Sequence, residues 1–386
     1  MSRDPSICNV PRLREMMERR NIDVLIVRNS ENSKYVSEFL HTGAVLGYRP
    51  FTVFFFRDPG VKPALVVPAI DQHLAMDSTW IDDVRSYAMA EFFTDLGQPR
   101  YADFFAAARD ILSERRVSGM VVGTEGDDLS SGFRKKLDEL LVGNTIVDIS
   151  FDMEIVRMVK TPEEIRRLRR ATEITVKAHE SFRQAIKIGN SDEDLNKAAL
   201  GRMIAEGADG IRFIHIGCGP THAYAAHQPH PYGAIIKPGD MVKVDMGATY
   251  RGYLADFVRT YFVGSATKEH QEIWKRLNEA QLELAAWMKL GMTGGQIFER
   301  LYSQLSRYLP NFPREFIGHG LGMGSHEQPR MNRVNKTVLE GNTVFCIELS
   351  YYHEGIRQHT EDTFLIKDSG LEHWTKDCPR DLVLPI

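Results

Sequence analysis

The sequence predicts an α/β protein with two domains, and three features lead to this prediction. Apolar segments typical of strands alternate with helical segments over residues 1–150. A Thr-Pro-Glu-Glu capping signal at residues 161–164 then opens a long helix. Further along, segments 242–260 and 345–366 have the residue pattern of β-hairpins. We therefore expect an N-terminal α/β domain at residues 1–155 and a C-terminal α+β domain at residues 156–386.

The N-terminal domain is expected to alternate short helices with strands that are rich in Val, Ile and Phe and bounded by Pro or Gly. The predicted strands lie at 23–27, 51–56, 64–67, 119–123 and 145–149, and the predicted helices at 10–20, 101–115 and 129–142. No acids or histidines of this half have a spacing that converges on a site. We therefore expect the chemistry in the C-terminal domain.

Four helices are predicted in the C-terminal domain. The first has Thr161 as its N-cap, and the second follows Ser191, which is also a capping residue. Arginines at 166–170 are interleaved with glutamates at helical spacing, which indicates a solvated helix face rather than a nucleic-acid site. The two later helices, at 267–289 and 294–308, are amphipathic and have no evident chemistry.

The first predicted hairpin carries two carboxylates. Apolar residues precede Asp245 and β-forming residues follow Asp256. A turn centred between Tyr250 and Arg251 would place the two acids directly opposite each other, with Cβ atoms roughly 4.5–5.5 Å apart. Two opposed like charges destabilise a sheet, so this arrangement predicts a cation, a proton or an arginine between them.

The second predicted hairpin repeats this arrangement with Glu348 and Glu361. These acids are symmetric about Glu354-Gly355, a pair suited to a tight turn, so they too are expected to be opposite each other on one face. One such pair alone is typical of two solvated acids on an exposed strand. Two pairs, each within apolar strand residues, favour a functional site.

Two loops add histidines to these acids. Residues 215–230 contain four histidines, one of them His227, but lack the third glycine and the helix start of a dinucleotide-binding loop. Residues 317–327 contain four glycines with His319 and His326, and glycines allow close approach of the backbone. This loop lacks the Lys-Ser/Thr ending of a phosphate-binding loop, which makes phosphate the weaker interpretation.

Four carboxylates and one imidazole suit a pair of hard or borderline divalent cations. Metal ions roughly 3.5–4 Å apart can share a hydroxide that is nucleophilic at neutral pH, while one of them polarises a carbonyl. The pattern therefore predicts a hydrolase. Mn²⁺ is our preferred metal, and Co²⁺, Zn²⁺ and Fe²⁺ also accept this ligand set.

These motifs resemble those of the pita-bread metallohydrolases, the family of aminopeptidase P, prolidase, methionine aminopeptidase and creatinase. VDMGATYRGYLADFVRT is similar to the family's aspartate hairpin, GHGLGMGSHEQP to its glycine-rich histidine loop, and KTPEEIRRLRRA to the start of its catalytic domain. The resemblance implies a creatinase-like N-terminal domain and a pita-bread catalytic domain. It also implies a homodimer in which the N-terminal domain restricts access to small substrates.

The same resemblance implies a role for each site residue. The ligands of two divalent ions would be Asp245, Asp256, His319, Glu348 and Glu361, with Asp256 and Glu361 bridging the ions. His227 and His326 would bind substrate and move protons. The implied activity is that of an Xaa-Pro aminopeptidase or dipeptidase acting on short peptides.

The chain departs from the peptidase pattern at two positions. Leu349 follows Glu348 where the proline-cleaving members have Pro, and His359 stands two residues before Glu361 where they have Arg, with Arg357 two residues further back. A creatinase-like hydrolysis of a C–N bond, or a lyase reaction, on a small metabolite is therefore an alternative. A binding protein without catalysis is a third, which the self-repulsion of an acid cluster disfavours.

The composition of the chain argues against some classes of binding partner. The chain has 386 residues and a formal net charge of −4, which gives no electrostatic footprint for nucleic acid or for an anionic membrane surface. Its four cysteines are scattered without metal-site or disulfide spacing, and no segment has the length and apolar character of a membrane span or a signal peptide. We therefore expect a cytoplasmic enzyme whose substrate is a small peptide or amide.

Overall fold

A computed structural model describes residues 5–40, 50–88, 101–126, 129–219, 231–310, 312 and 315–385. The chain divides into two compact units, Met1–Arg157 and Met158–Ile386. Mixed α/β structure is present in both, as the sequence predicts. Within the described residues, no helix is both long enough and apolar enough to cross a lipid bilayer.

The first unit is built on a six-stranded sheet with the strand order β4-β3-β2-β1-β5-β6. The strands are β1 Val24–Val27, β2 Thr52–Phe56, β3 Ala64–Pro68, β4 Asp83–Tyr87, β5 Val121–Thr124 and β6 Thr145–Asp148. The helices are α1 Val10–Arg19, α2 Ser30–Ser37, α3 Gln72–Ser78, α4 Phe104–Glu114, α5 Ser131–Leu140 and α6 Ser150–Met158. Strand β2 pairs antiparallel with β1 and β3, and the other neighbours are parallel.

All eight elements predicted for this half are present, but the described residues contain five others that were not predicted, one of them the short 3-10 helix Ala69–Asp71. Helix α2 is short and polar, and its start depends on Asn29, whose side chain accepts hydrogen bonds from the N–H groups of Glu31 and Asn32. Strand β4 lies at the edge of the sheet and carries charged residues, so it has no apolar run. Helices α3 and α6 were also missed. Among these elements, α2 depends on its cap and β4 on its pairing with β3, and neither depends on periodicity.

The second unit contains two sheets, each covered by a pair of helices. Strands β7 Gly210–Cys218, β8 Met241–Tyr250, β9 Tyr253–Leu254, β10 Phe257–Val263 and β15 Val383–Leu384 form one sheet, and β11 Gly318–Gly320, β12 Thr343–His353, β13 Ile356–Lys367 and β14 Gly370–His373 form the other. The helices are α7 Pro162–Ala185, α8 Asp192–Ala205, α9 Lys268–Trp287 and α10 Gly294–Leu305.

Each helix pair shares an apolar core with one of these sheets. Ile174 and Phe182 of α7 and Leu195 of α8 pack with Val242 and Val244 of β8. In the same way, residues of α9 and α10 pack with apolar residues of β12 and β13. The predicted caps are confirmed: Thr161 and Ser191 each accept a hydrogen bond from the N–H three residues later. This arrangement leaves the opposite faces of the two sheets to meet each other.

The two sheets meet where β10 lies against β13. The Thr260 hydroxyl donates to the carbonyl oxygen of His359 at 2.8 Å and accepts from the N–H of His359 at 3.1 Å. The Thr363 hydroxyl donates to the carbonyl oxygen of Asp256 at 2.9 Å. These bonds hold residues of the two predicted hairpins at fixed separations.

The predicted register of the first hairpin is wrong. Asp245 of β8 is opposite Val258 of β10, and not opposite Asp256. The turn is centred on Arg251 and Gly252, which have φ angles of 49° and 82°, whereas the prediction placed it one residue earlier. A two-residue hairpin turn of this type requires positive φ at both central positions, which glycine adopts without strain. Asp256 is therefore a diagonal neighbour of Asp245, still on the same face of the hairpin.

The predicted register of the second hairpin is confirmed. Glu348 of β12 is directly opposite Glu361 of β13, and the turn residues Glu354 and Gly355 have φ angles of 48° and 79°. Each strand is continuous through its acid, so the pleat places both carboxylates on one face.

Candidate metal centre

Five side chains from both sheets converge at the contact between the sheets. Asp245 comes from β8 and Asp256 from the break between β9 and β10, while His319, Glu348 and Glu361 come from β11, β12 and β13. All five are buried. Carboxylate oxygens of Asp245, Asp256 and Glu361 lie within 4.8 Å of one another. The structure therefore places together all five residues that the sequence analysis proposed as metal ligands.

Asp256 is held outside the regular strand ladder. Its carbonyl oxygen accepts hydrogen bonds from the Thr363 hydroxyl and from the Cys346 thiol, the latter at 3.3 Å. On the opposite strand, a Cβ atom on Gly247 would lie 2.0 Å from the carbonyl oxygen of Ala255. Only glycine fits there, because Cβ atoms do not approach backbone oxygen so closely. Gly247 thus allows the backbone bend that positions Asp256.

His319 presents one ring nitrogen to the acids. Its Nδ1 lies 3.1 Å from the carbonyl oxygen of Gly320, so an Nδ1–H that donates there leaves the Nε2 lone pair free. The Nε2 atom is 3.5 Å from Oε1 of Glu361 and 3.7 Å from Oε1 of Glu348. This is the orientation that a metal-binding imidazole requires.

The acids share a strongly unfavourable electrostatic environment. Burial, and then the charges of Glu361 and Glu348, raise the pKa of Asp245 well above its ordinary value, although Lys243 and Arg357 act in the opposite direction. Burial and neighbouring carboxylates also raise the pKa of Asp256 well above its ordinary value. The cationic side chains among the described residues therefore do not neutralise this cluster.

The pKa values of Glu361 and His319 depend on the contact between the two side chains as well as on burial. Burial raises the pKa of Glu361, against the effect of its hydrogen bond with His319. Burial alone would lower the pKa of His319, but its contacts with Glu361 and Glu348 outweigh this and raise the pKa. A bound cation would relieve the repulsion between these carboxylates.

The residues fit a pair of divalent ions. Oδ1 of Asp245 is buried and accepts no hydrogen bond from any residue that the structure describes. Glu361 contributes to three separate groups of potential donors: with Asp245 and Asp256, with His319 and Cys346, and with Glu348 and His359. A carboxylate that belongs to several donor groups is what two adjacent ions would share. Oxygen donors with one imidazole suit hard and borderline divalent metals.

The acids line a cavity of about 230 Å³. Its other walls include aromatic, imidazole and guanidinium groups: Phe213, His215, Phe316, His326, Arg357 and His359. A larger groove of about 750 Å³ lies between α9 and α10, but none of the proposed site residues lines it. The chemistry therefore identifies the smaller cavity as the candidate site.

Of the two predicted catalytic histidines, the structure describes one. His326 is exposed, and its ring centroid lies 4.1 Å from that of His319, at the cavity. His227 lies outside the described residues. His326 therefore lies both at the cavity and beside the acid cluster, and its imidazole is close enough to His319 and Glu348 to join a donor group.

Sequence reasoning missed several cavity residues. His215 of β7 is opposite Asp245 in the ladder and stacks on Phe213 with ring centroids 5.2 Å apart. His359 was noted only as a departure from a pattern, although its Nε2 lies 3.2 Å from Oε2 of Glu348. Its position two residues before Glu361 was a usable signal, because alternate residues of a strand share a face. The pairing of β7 with β8 had no comparable signal.

Behind the glycine-rich loop lies a buried ion pair that the sequence did not indicate. Nζ of Lys160 is 2.8 Å from Oε2 of Glu327, and both side chains are almost fully buried. The other oxygen of Glu327 accepts a hydrogen bond from the N–H of Gly324. Glu327 follows His326 in the chain, so this pair fixes the backbone that carries His326.

Comparisons with known proteins match both halves of the chain. Residues 166–368 match metallopeptidase family M24, and residues 10–159 match the creatinase/prolidase N-terminal domain. The chain is 27% identical to an Xaa-Pro dipeptidase of Pyrococcus horikoshii over 383 residues, which covers 97% of this chain and 98% of that protein.

Solved structures also resemble the chain along most of its length. A prolidase from Pyrococcus furiosus has 25% sequence identity and a TM-score of 0.78, with 94% of this chain and 99% of that chain covered. An Xaa-Pro dipeptidase from Bacillus anthracis has 23% identity and a TM-score of 0.82, with coverage of 97% and 99%. The likeness to this second structure concerns the fold alone.

Proposed function

Because the chain belongs to metallopeptidase family M24, the pita-bread hydrolases, we propose that this hydrolase is a two-metal dipeptidase or aminopeptidase that releases the N-terminal residue from short Xaa-Pro peptides. The observation that carries this proposal is the group of four buried acids and His319 around one cavity, in which the described cationic side chains do not neutralise the repulsion between carboxylates. A buried charge cluster of this kind is costly unless it binds cations.

The proposed ligands are the five residues that converge in the structure. Asp256 and Glu361 would be shared by the two ions; Asp245 would complete the donors of one ion, and His319 and Glu348 those of the other. When bound, such ions supply Lewis-acid polarisation of a carbonyl and lower the pKa of water. The oxygen-rich donor set supports Mn²⁺ as the preferred metal.

The other cavity residues would bind the substrate and move protons. We assign His326 to hydrogen bonding with the scissile amide and to proton transfer toward the leaving nitrogen, because its ring lies beside His319 and remains exposed. His227 is proposed for the same region of the substrate on the basis of the family resemblance. Phe213 and Phe316 provide apolar walls for a small side chain or a proline ring.

The size of the cavity supports a short substrate. A volume of about 230 Å³ is enough for part of a dipeptide but too small for a folded chain. The Xaa-Pro dipeptidases among the relatives support the same substrate class. Arg357 lines the cavity and adds a buried positive charge, which would favour a substrate with a free carboxylate.

A second candidate is the hydrolysis of a C–N bond, or a lyase reaction, on a small metabolite. The observation that favours it is His359, which lines the cavity at the position where the peptidase pattern has an arginine, together with Leu349 after Glu348. Of these two residues, His359 changes the wall of the cavity without removing any proposed ligand, whereas Leu349 packs in the apolar core beneath α9 and α10.

One experiment separates these functions. Metal-free protein reloaded with Mn²⁺ would be incubated with Xaa-Pro dipeptides, Xaa-Pro-Xaa tripeptides, matched Xaa-Ala peptides, and a panel of amidine and cyclic-amide metabolites. Release of the N-terminal residue from Xaa-Pro substrates, dependent on metal, is the expected result. Turnover of a metabolite without turnover of any peptide would support the second candidate instead, and Glu361→Gln protein controls for contaminating peptidases.

We also propose that the enzyme is a homodimer, as the family resemblance implies. Light scattering should give a mass of about twice 43.9 kDa. The four cysteines are free and buried, which agrees with the reducing, cytoplasmic environment that we propose. A monomer in solution would contradict the dimer without affecting the metal centre.

A further inference from the structure

His359 faces the metal centre directly from strand β13. It lies two residues before Glu361, so the pleat places both side chains on the same face of the strand. Its Nε2 atom is 3.2 Å from Oε2 of Glu348, and its side chain is only 4% exposed. Donor atoms of Glu348, His359 and Glu361 all lie within 4.8 Å of one another.

The backbone of His359 is fixed, which limits where the ring can go. The hydroxyl of Thr260 bonds to both the N–H and the carbonyl oxygen of His359 across the sheet contact. Thr260 is itself fully buried on β10. The imidazole is therefore held at the acids by regular strand pairing and does not depend on a loop.

Other buried histidines of this unit have a different environment. His179 stacks on Phe257 with ring centroids 4.1 Å apart, and its Nε2 lies 3.3 Å from a backbone carbonyl oxygen. His270 packs at 5.1 Å from Phe262 and bonds to the amide of Gln358. These two rings fill the core, whereas the ring of His359 meets two carboxylates at a cavity.

We propose that His359 is a sixth metal ligand, which adds a second imidazole to the ion held by Glu348 and Glu361. This assignment rests on the metal centre of the proposed function. His319 approaches Glu348 on the side of Oε1, and His359 approaches it on the side of Oε2, so the two imidazoles do not compete for one position.

The consequence is a difference between the two ions. The group formed by Asp245, Asp256 and Glu361 contains only oxygen donors, whereas both groups that include Glu348 contain imidazole: one has His359 with Glu361, and the other has His319 with His326. Imidazole favours Zn²⁺ and Co²⁺, while carboxylates alone favour Mn²⁺. We therefore expect one position to prefer a borderline metal and to bind it more tightly than the other.

The test compares His359→Gln with His215→Gln. Glutamine at 359 keeps an amide that can hydrogen-bond to Glu348 but removes the imidazole. His215 also lines the cavity and is opposite Asp245, but it belongs to none of the donor groups found among the described residues. Each variant, and the wild type, would be loaded with Zn²⁺ and measured by X-ray absorption, which counts imidazole ligands independently of activity.

The expected result is that His359→Gln loses one imidazole contribution in the absorption spectrum, while His215→Gln matches the wild type. Titration should show one equivalent of Zn²⁺ weakened by at least about 100-fold, beyond the range of about 10–100-fold that is usual for residues that only orient a ligand. His359→Asn, which is shorter, provides a second variant if the first is poorly folded by circular dichroism.

An unchanged imidazole contribution in His359→Gln would overturn the assignment, even if metal affinity fell, because His359 would then only orient Glu348. This failure is distinct from failure of the proposed function. Wild-type protein that binds two ions but cleaves no Xaa-Pro peptide would disprove the peptidase and leave the ligand assignment intact. Wild-type protein that binds no metal would disprove both.

Discussion

Glu361 and Asp362 are neighbours on strand β13 but point to opposite faces of the sheet, and their surroundings differ in charge. Asp362 lies 2.8 Å from Arg259 and 2.5 Å from Arg380, and His373 and Thr375 also contact it. Although burial opposes ionisation, Arg259, His373 and Arg380 hold the pKa of Asp362 well below its ordinary value. Glu361 instead faces three other acids, and burial raises its pKa.

This difference separates an acid whose charge is balanced by neighbouring cations from one whose charge is not. Cationic side chains of the protein surround Asp362, so its negative charge stabilises the contact between the two sheets. The acids around Glu361 gain only partial compensation from Lys243, Arg357 and His319. A chain that buries four acids without enough cations loses folding stability, which is expected where an external cation completes the structure.

The largest expected effect is a difference in activity between variants of Glu361 and variants of Asp362. Glu361→Gln should lower kcat/KM by at least about 1,000-fold, since metal ions supply several kcal/mol of transition-state stabilisation. Asp362→Asn, measured on folded protein, should retain two equivalents of metal and most of the activity. Steady-state kinetics and elemental analysis test both variants. A loss below tenfold in Glu361→Gln would show that the wrong acid has been assigned, and Asp256→Ala should behave as Glu361→Gln does.

The next largest effect is a loss of kcat that we expect when a histidine at the edge of the cavity is replaced. His326→Ala should lower kcat by about 10²–10⁴-fold, the usual range for a general acid or base, while two equivalents of metal remain bound. The same result is expected for His227→Ala. Ser325→Ala is a matched control, because Ser325 also lines the cavity and contacts His326. Loss of metal in either histidine variant would identify that histidine as a ligand instead.

The third effect concerns stability on the other face of β13. Asp362→Asn should lower the free energy of unfolding by about 3–5 kcal/mol, because it leaves Arg259 buried without its carboxylate partner. Urea unfolding of metal-free protein measures this loss. In the same experiment Glu361→Gln should be neutral or stabilising, since it removes one of four repelling acids. Equal destabilisation by both variants would remove the distinction between the two faces.

The contrast between the two hairpins shows how far the sequence could predict the site. The turn at Glu354-Gly355 was placed correctly, and Glu348 and Glu361 are therefore opposite each other as predicted. The equivalent turn at Arg251-Gly252 was placed one residue early, because symmetry about the two aspartates was given more weight than the positive φ that glycine allows. Both acids still share a face, so the convergence of the five side chains was predicted although the register was not.

The remaining features depend on contacts that a single sequence does not display. The cavity wall formed by Phe213 and His215 requires β7 to pair with β8, and this pairing contains an irregularity near Ile211. The negative charge of Asp362 is balanced by Arg259 from the other sheet and by Arg380 from the C-terminal segment. Periodicity predicts which face of a strand is buried, but it does not predict which distant residue covers that face.

The smallest expected effect is a difference in pH dependence between metal-free and metal-loaded protein. In the metal-free fold, the pKa values of Asp245, Asp256 and Glu361 are raised above the unfolded values of about 4. The contribution of each group to the free energy of unfolding is therefore fully present below about pH 4. It is lost as the pH rises through the pKa of that group in the folded protein. Asp362 has the opposite sign: its contribution is present above about pH 4 and is lost as pH falls.

Metal-free protein should accordingly lose thermal stability as pH rises from about 5 to 8, because the site acids must ionise against one another. Metal-loaded protein should not, since bound cations favour the ionised carboxylates in this range. A change of 1 kcal/mol shifts the Tm of a unit of this size by about 2–4 °C, which calorimetry resolves. Glu361→Gln should reduce the slope of the metal-free protein because one repelling charge is absent. A metal-free Tm that rises over this range would mean that the chain itself compensates these acids, and that Glu361 and Asp362 are both structural.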